Sequence, residues 1–302
     1  MKVGVIGSNS FLAKNLVKIF FLENKVEKLV LFTSSLNREY KNKSKVKYLS
    51  YKYPEKKLKI EDLIGLDIIY FCSALGLEKN SKVSDDQIMG INTFEPINLS
   101  NLLEKNNYKG KFITFGSYLE IGRCSKKYKF SELEIAFSNR PLFNTYCLSK
   151  RLLTNYFCSK EITIDWYHFL LPNFYGNGEK QIRLIPYLIN SILTGKVLKV
   201  TEGNQIRQYL HVSDIVRLLN KLIYNDFTPS IYNLVPDECH SVKEVISIVV
   251  NIFGSNDSRF EKIERYDENM PIVYADNSKL KNEFSWNPKI SIEEGIKNYF
   301  KI

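Results

Sequence analysis

The stretch VIGSNSFLAKNL, Val5 to Leu16, decides how this chain is read. It follows a short β-branched run and leads into residues with helical apolar spacing, so it reads as a strand turning into a helix. At such a turn a nucleotide-binding chain places glycines three residues apart. Here Gly7 holds the first place, and Ser10 and Ala13 hold the next two. Glycine lets the chain turn sharply, and small residues after it let backbone N–H groups approach a pyrophosphate at the helix N-terminus. Ser10 and Ala13 are small enough for that role with looser packing. The candidate phosphate contacts are therefore Gly7, Ser8, Asn9, Ser10, Phe11 and Leu12. Taken alone, the pattern also fits an ordinary strand-turn-helix.

Working outward, VEKLVLFT, DIIYFCSA (Asp67–Ala74), KFITFGS (Lys111–Ser117) and ITIDWYHFLLP (Ile162–Pro172) are further apolar runs. Helical segments such as NTFEPINLSNLLEKN lie between the later ones. Alternating strands and helices predict a parallel sheet covered on both faces, whose strands read as continuous apolar runs. After about residue 172 the rhythm changes. PNFYGNGEK is a loop, LIPYLINSILTG a helix, KVLKVTEGNQIRQYLHV strands around a turn, and VSDIVRLLNKLIYN and SVKEVISIVVNIFG are helices. Ser213 or Asp214 stands near the start of the first of these last two, and Asp214 reads as a structural cap. The expected fold class is α/β, a Rossmann-type doubly wound parallel sheet with a smaller C-terminal α/β substrate lobe. Residues 1–172 form the dinucleotide-binding domain, with later segments returning to it, and 173–302 mainly the substrate lobe. Ligands of such sheets sit beyond the carboxyl ends of the strands.

Composition narrows the class. The chain has 302 residues and 44% hydrophobic residues, ample for a full core. Its +10 net charge concentrates at REYKNKSKVKYLSYKYPEKKLK, Arg38–Lys59, which reads first as a solvated face and second as an attractor of anionic ligands. No nucleic-acid-binding motif accompanies it, so no nucleic-acid partner is expected. Five cysteines without C-x-x-C pairing predict reduced thiols and a cytoplasmic setting. Three dispersed histidines predict no metal site. Without a leader pattern or a run of 18 apolar residues, neither secretion nor membrane spanning is expected.

Two further features carry chemistry. In NTYCLSKRLL, Tyr146 and Lys150 stand four apart, on one face of a helix. An ammonium beside a phenol favours the phenolate, which suits a proton donor or acceptor near neutral pH. With 19 tyrosines the spacing also arises by chance on a surface helix. Ser117 ends a buried strand, where its hydroxyl either contacts a substrate oxygen or merely finishes the strand.

In this order, the glycine turn, the strand-end serine and the Y-x-x-x-K resemble the extended short-chain dehydrogenase/reductase family, in its NAD-dependent epimerase/dehydratase group. The resemblance runs nearly the whole chain. DIIYFCSA resembles the family's fourth strand, with Ser73 and Ala74 passing the cofactor, and INTFEPINLSNLLE the helix carrying the family's asparagine at Asn92. PNFYGNG is similar to N-x-Y-G-P-G, with Asn173, Tyr175 and Gly176 in place and Asn177 instead of proline. IRQYLHVSDIVRLL carries Arg207 and Asp214 of R-x-x-x-x-V-x-D, and DNSKLKNEFSWNPKISIEEGI resembles the C-terminal W-x-P segment. The resemblance implies Tyr146 as general acid/base, Lys150 as the residue that lowers its pKa and binds ribose, and Ser117 as the group polarising the substrate oxygen. It implies a nucleotide-diphosphate sugar as substrate, held by Ser117, Asn173 and Arg207, and hydride transfer at a sugar carbon. A homodimer through the Y-x-x-x-K helix is a further expectation, with RLLTNYF offering an apolar face that core packing explains equally well.

The second strand ends in Thr33, Ser34 and Ser35, with Arg38 nearby, where an aspartate would favour NAD. Hydroxyls and a guanidinium suit a 2′-phosphate, so NADPH is favoured over NADH. The family's Asp after the third strand is also missing, where YLSYKYPE stands. Tyr118 and Leu119 replace the acidic pair that the family's 4,6-dehydratases carry after the catalytic hydroxyl, and Glu120 comes too late. The favoured activity is NADPH-dependent reduction of a nucleotide-linked 4-keto-6-deoxy sugar. A nucleotide-sugar epimerase is the alternative, and a non-catalytic dinucleotide-binding regulator stays open.

Overall fold

The computed structural model describes residues 1–35, 39–40, 42–76, 83–125, 128–254, 260–263 and 270–300. Arg38, the cofactor candidate after the second strand, lies outside the described residues. Seven parallel strands form the central sheet in the order β11-β6-β5-β4-β1-β2-β3. They are β1 (Lys2–Ile6), β2 (Lys28–Thr33), β3 (Val46–Ser50), β4 (Ile68–Phe71), β5 (Lys111–Ser117), β6 (Asp165–Leu171) and β11 (Ile231–Asn233). The strand order reverses between β1 and β4, so the β1 turn opens at the switch point.

Apart from the half-exposed edge strand β3, the strands are largely apolar because alternate side chains enter different layers. Val3, Val5, Ile68, Tyr70 and Phe169 belong to a core shared with α1 (Phe11–Leu22) and α7 (Val212–Lys221). Ile6, Ile69, Phe71, Phe112 and Leu170 belong to one shared with α3 (Glu95–Lys105) and α5 (Thr145–Ser159). The short α2 (Asp85–Met89) and α4 (Glu132–Ala136) flank this second layer. A third core joins α6 (Leu184–Leu193), α8 (Val242–Phe253) and α10 (Ile292–Lys297) into the C-terminal lobe, and α9 (Ser278–Phe284) packs back on the sheet through Leu280 and Phe284.

Two expectations change. The helix across NTFEPINLSNLLEKN is interrupted at its start, where Gly90–Phe94 form a π turn before α3. Pro96 has no N–H to give the Asn92 carbonyl, so the regular ladder fails there. The segment KVLKVTEGNQIRQYLHV is not a hairpin. Its strands β8 (Leu198–Val200), β9 (Ile206–Arg207) and β10 (Tyr209–His211) each pair elsewhere, with β13 (Phe260–Lys262), β12 (His240–Ser241) and β7 (Asn173–Tyr175) respectively. These cross-links tie the lobe together through partners distant in sequence.

Candidate active site

At the β1 turn Gly7 has φ +76°, and both its N–H and that of Ser8 donate to the Phe32 carbonyl, at 3.0 and 3.2 Å. A Cβ at Gly7 would stand 2.3 Å from Ser73 Oγ and 2.7 Å from Ser73 N, so only glycine fits. Ser10 caps α1, its hydroxyl accepting from Ala13 N at 3.3 Å. It thus fills the second glycine's place with a side chain that serves the helix. Leu12 and Ala13 turn their side chains into the core, which leaves backbone N–H groups as what this turn offers a phosphate. Phe11 stacks on Phe174 with centroids 5.7 Å apart. Asn9 Nδ2 donates to Thr33 Oγ1 at 2.7 Å and to Ser35 Oγ at 2.9 Å, and Thr33 Oγ1 donates to the Ser35 carbonyl at 2.6 Å. The Thr33 hydroxyl is therefore already engaged, and exposed Ser34 is the freer hydroxyl at this edge.

A dinucleotide fits these residues. The Gly7 cradle would close if a Cβ were added, and the buried Ser8 hydroxyl has no hydrogen-bond partner. Asn92 holds the chain beyond β4 by exchanging hydrogen bonds with Leu75 N and O, at 3.0 and 2.9 Å. This places half-buried Ser73 and exposed Ala74 at the same sheet edge.

At the other side of the switch point, Ser117 ends β5 and Tyr146 lies on the first turn of α5. The Ser117 hydroxyl lies beside the Tyr146 phenol and favours its ionised form. Burial pushes the Tyr146 phenol up, reinforced by Cys147 and Glu120, against the lowering influence of Arg183 and Ser117. The expected lowering by Lys150 is not found. Lys150 Nζ instead donates to the Phe115 carbonyl at 2.7 Å, and burial draws the ammonium down.

A cleft of about 390 Å³ opens between the strand ends and the lobe, with Asn173, Glu179, Arg183, Thr201 and Arg207 on its wall. Arg207 is buried and its Nη1 donates to the Ile206 carbonyl at 2.8 Å. Arg183 was not singled out from the sequence. It pairs through Nε with the buried Glu179 carboxylate at 3.1 Å, and burial pushes that carboxyl up to about 7. An E-x-x-x-R spacing directly after the PNFYGNG loop is the signal that would have found the pair. Asp214 is structural, as expected, but it does not cap α7; His211 does. Asp214 pairs with Arg217 at 2.5 Å and accepts from Lys289 N and Ile290 N, both at 3.1 Å. Tyr175 reaches the carbonyls of Ser291 and Ile292, so it too is structural. Among the described residues no cluster of three or more His, Cys, Asp or Glu could hold a metal ion, and no helix is long and apolar enough to cross a membrane. None of the five cysteines forms a disulfide.

The chain is similar to known proteins. A dTDP-glucose 4,6-dehydratase of Shigella flexneri is 31% identical over 136 residues, 41% of this chain. The match spans just over a third, 37%, of that protein's length. A CDP-abequose synthase of Yersinia pseudotuberculosis is 24% identical over 223 residues, 72% of both chains. The solved UDP-glucuronic acid 4-epimerase of Bacillus cereus, in complex with UDP-glucuronic acid and NAD, has the same fold at TM-score 0.83 and 18% identity, covering 99% of this chain and 98% of that one. The family model for the NAD dependent epimerase/dehydratase family matches residues 3–234, from β1 through β11, and so the chain belongs to that family.

Proposed function

We propose that the protein reduces the C4 carbonyl of a nucleotide-linked 4-keto-6-deoxy sugar, using NADPH. The observation that carries this reading is Ser117 at the end of β5 beside Tyr146 on the first turn of α5, with Lys150 one turn further along the same helix. When bound, the dinucleotide supplies the hydride. The Tyr146 hydroxyl donates the proton to the nascent alkoxide, and burial keeps that hydroxyl protonated until the substrate arrives. The Ser117 hydroxyl orients the carbonyl oxygen, and Lys150 holds ribose. Arg207 and Arg183, on one cleft wall, suit a diphosphate, with Asn173 beside it. The turn after Ser117 argues against dehydration. Tyr118 is fully buried, Leu119 is apolar, and the Glu120 carboxylate turns inward, so none of the three offers the cleft a carboxylate.

Thr33, Ser34 and Ser35 put no carboxylate against a 2′-phosphate, which supports NADPH. A homodimer through α5 belongs to the same proposal. Leu153 and Phe157 of the expected apolar face enter the core, whereas Leu148 and Leu152 stay 42% and 41% exposed. A screen of NADPH and NADH oxidation against 4-keto-6-deoxy sugars on several nucleotides tests the reading. NADPH oxidation with at least one of them is expected. Absence of oxidation by a protein that purifies with tightly held NAD would favour the epimerase reading instead.

A further inference from the structure

The mechanism leaves one fully buried ionisable residue of the site unused. Glu120 follows β5 in a single 3-10 turn, Tyr118–Ile121, and its carboxyl folds back under the strand end. Oε1 accepts from Ser117 N at 2.5 Å. Oε2 makes no hydrogen bond of ordinary geometry.

Strand pairing explains why this place needs a side chain. β4 pairs with β5 only as far as Tyr70 opposite Ile113. Beyond that point β5 runs on to Ser117 with one edge lacking a strand partner, and buried backbone groups there need other partners. Phe115 and Ser117 lie two apart and present their polar groups along the same edge. Lys150 takes the Phe115 carbonyl and Glu120 takes the Ser117 N–H. The two side chains thus complete consecutive positions of one open edge, with opposite charges.

The surroundings reserve room for the carboxylate. A Cβ on Gly116 would stand 2.7 Å from Glu120 Oε1 and 2.8 Å from His168 Nε2. Thr154 Oγ1 lies beside the carboxyl and contacts His168 Nε2 at 2.9 Å. His168 Nδ1 contacts Thr114 Oγ1 at 2.7 Å, and burial holds this imidazole neutral. On α5, Lys150 and Arg151 are the cations facing Glu120, and Tyr146, Cys147 and Cys158 also feel its charge. Cys72, just beyond β4, enters the field beside Lys150, and Arg140 stands against Arg151.

We propose that Glu120 is a positioning residue: its carboxylate pins the Ser117 amide at the open edge of β5 and is the buried counter-charge that keeps Lys150 an ammonium. The inference rests on the reading of Ser117, Tyr146 and Lys150 as the reacting machinery. Burial raises the Glu120 carboxyl and lowers the Lys150 ammonium, and each charge supports the other.

The test is an NMR pH titration of isotope-labelled lysine side chains in the full chain, with Lys150 assigned through Lys150→Arg. Glu120→Gln keeps the acceptor for Ser117 N and removes only the charge. The Lys150 midpoint should fall by about one pH unit or more. In turnover, the basic limb of kcat/KM should move to lower pH, because both Lys150 and Tyr146 lose the carboxylate that raises them. Should Glu120→Gln not fold, the reciprocal titration applies: in Lys150→Met the Glu120 carboxyl midpoint should rise. An unmoved midpoint in the titration performed overturns the proposal. Neither titration needs turnover, so a chain that oxidises no NADPH still tests the pair. Turnover with an unmoved midpoint overturns the pair alone.

Discussion

At the carboxyl end of β1, short neutral side chains satisfy one another: Asn9 binds Thr33 and Ser35, and Ser10 caps its own helix. At the carboxyl end of β5, four strands on in chain order and two across the sheet, the work falls to the buried ionisable groups Glu120, Lys150 and His168. The first region needs small residues and one true glycine, because Ser73 packs against Gly7 and backbone N–H groups are what the turn presents. It tolerates Ser10 and Ala13 where glycines would stand. The second region holds charges away from water, where each depends on its partner, so a single replacement there unbalances the rest.

Four substitutions probe that contrast. The largest effect belongs to Tyr146→Phe, which removes the transferable proton and little volume. Turnover should fall by about 10²–10⁴-fold, while fluorescence titration should show the dinucleotide still binding. Equal loss of both would mean that Tyr146 builds the site rather than acting in it.

Next comes acid stability. Burial lowers the His168 imidazole from 6.5 to about 3, so the unfolded chain accepts a proton that the folded chain refuses. The resulting stability is complete above pH 6.5 and is lost as pH falls from there toward 3. By about pH 4 the loss should reach roughly 3 kcal/mol. Denaturant unfolding across this range should show the slope, and His168→Gln should flatten it.

Gly7→Ala follows. Its added carbon would meet Ser73 Oγ at 2.3 Å at a positive φ, at a cost of about 1–3 kcal/mol. Dinucleotide affinity, measured by calorimetry, should fall by about tenfold or more. Ser10→Gly should matter least. It gives up one cap, a few tenths of a kcal/mol in helix stability, and leaves dinucleotide affinity unchanged or slightly better. A larger loss for Ser10→Gly than for Gly7→Ala would reverse the ranking of the two positions.

The sequence made the backbone-driven features legible. Gly7 at the end of an apolar run, Ser117 at the end of another, and Tyr146 with Lys150 on one helical face all follow from local spacing. What stayed hidden depends on the packed fold. The inward turn of Glu120 follows from β4 ending early and leaving an edge of β5 open. The raised Tyr146 phenol reflects burial outweighing its neighbours, which spacing to Lys150 does not report. β11, three residues long, carries too little pattern to be read as a strand. The short strands of the lobe found partners in β7, β12 and β13 rather than in each other. The Glu179–Arg183 pair was visible as spacing, but only the cleft gives it meaning.

The most direct test of the account is to supply NADPH deuterated at the transferring C4 position together with a nucleotide-linked 4-keto-6-deoxy sugar, and to weigh the product. Net reduction predicts one deuterium on the sugar carbon and a matching amount of NADP, both lost in Tyr146→Phe. A product without deuterium, formed by a protein that keeps its dinucleotide bound, would contradict it.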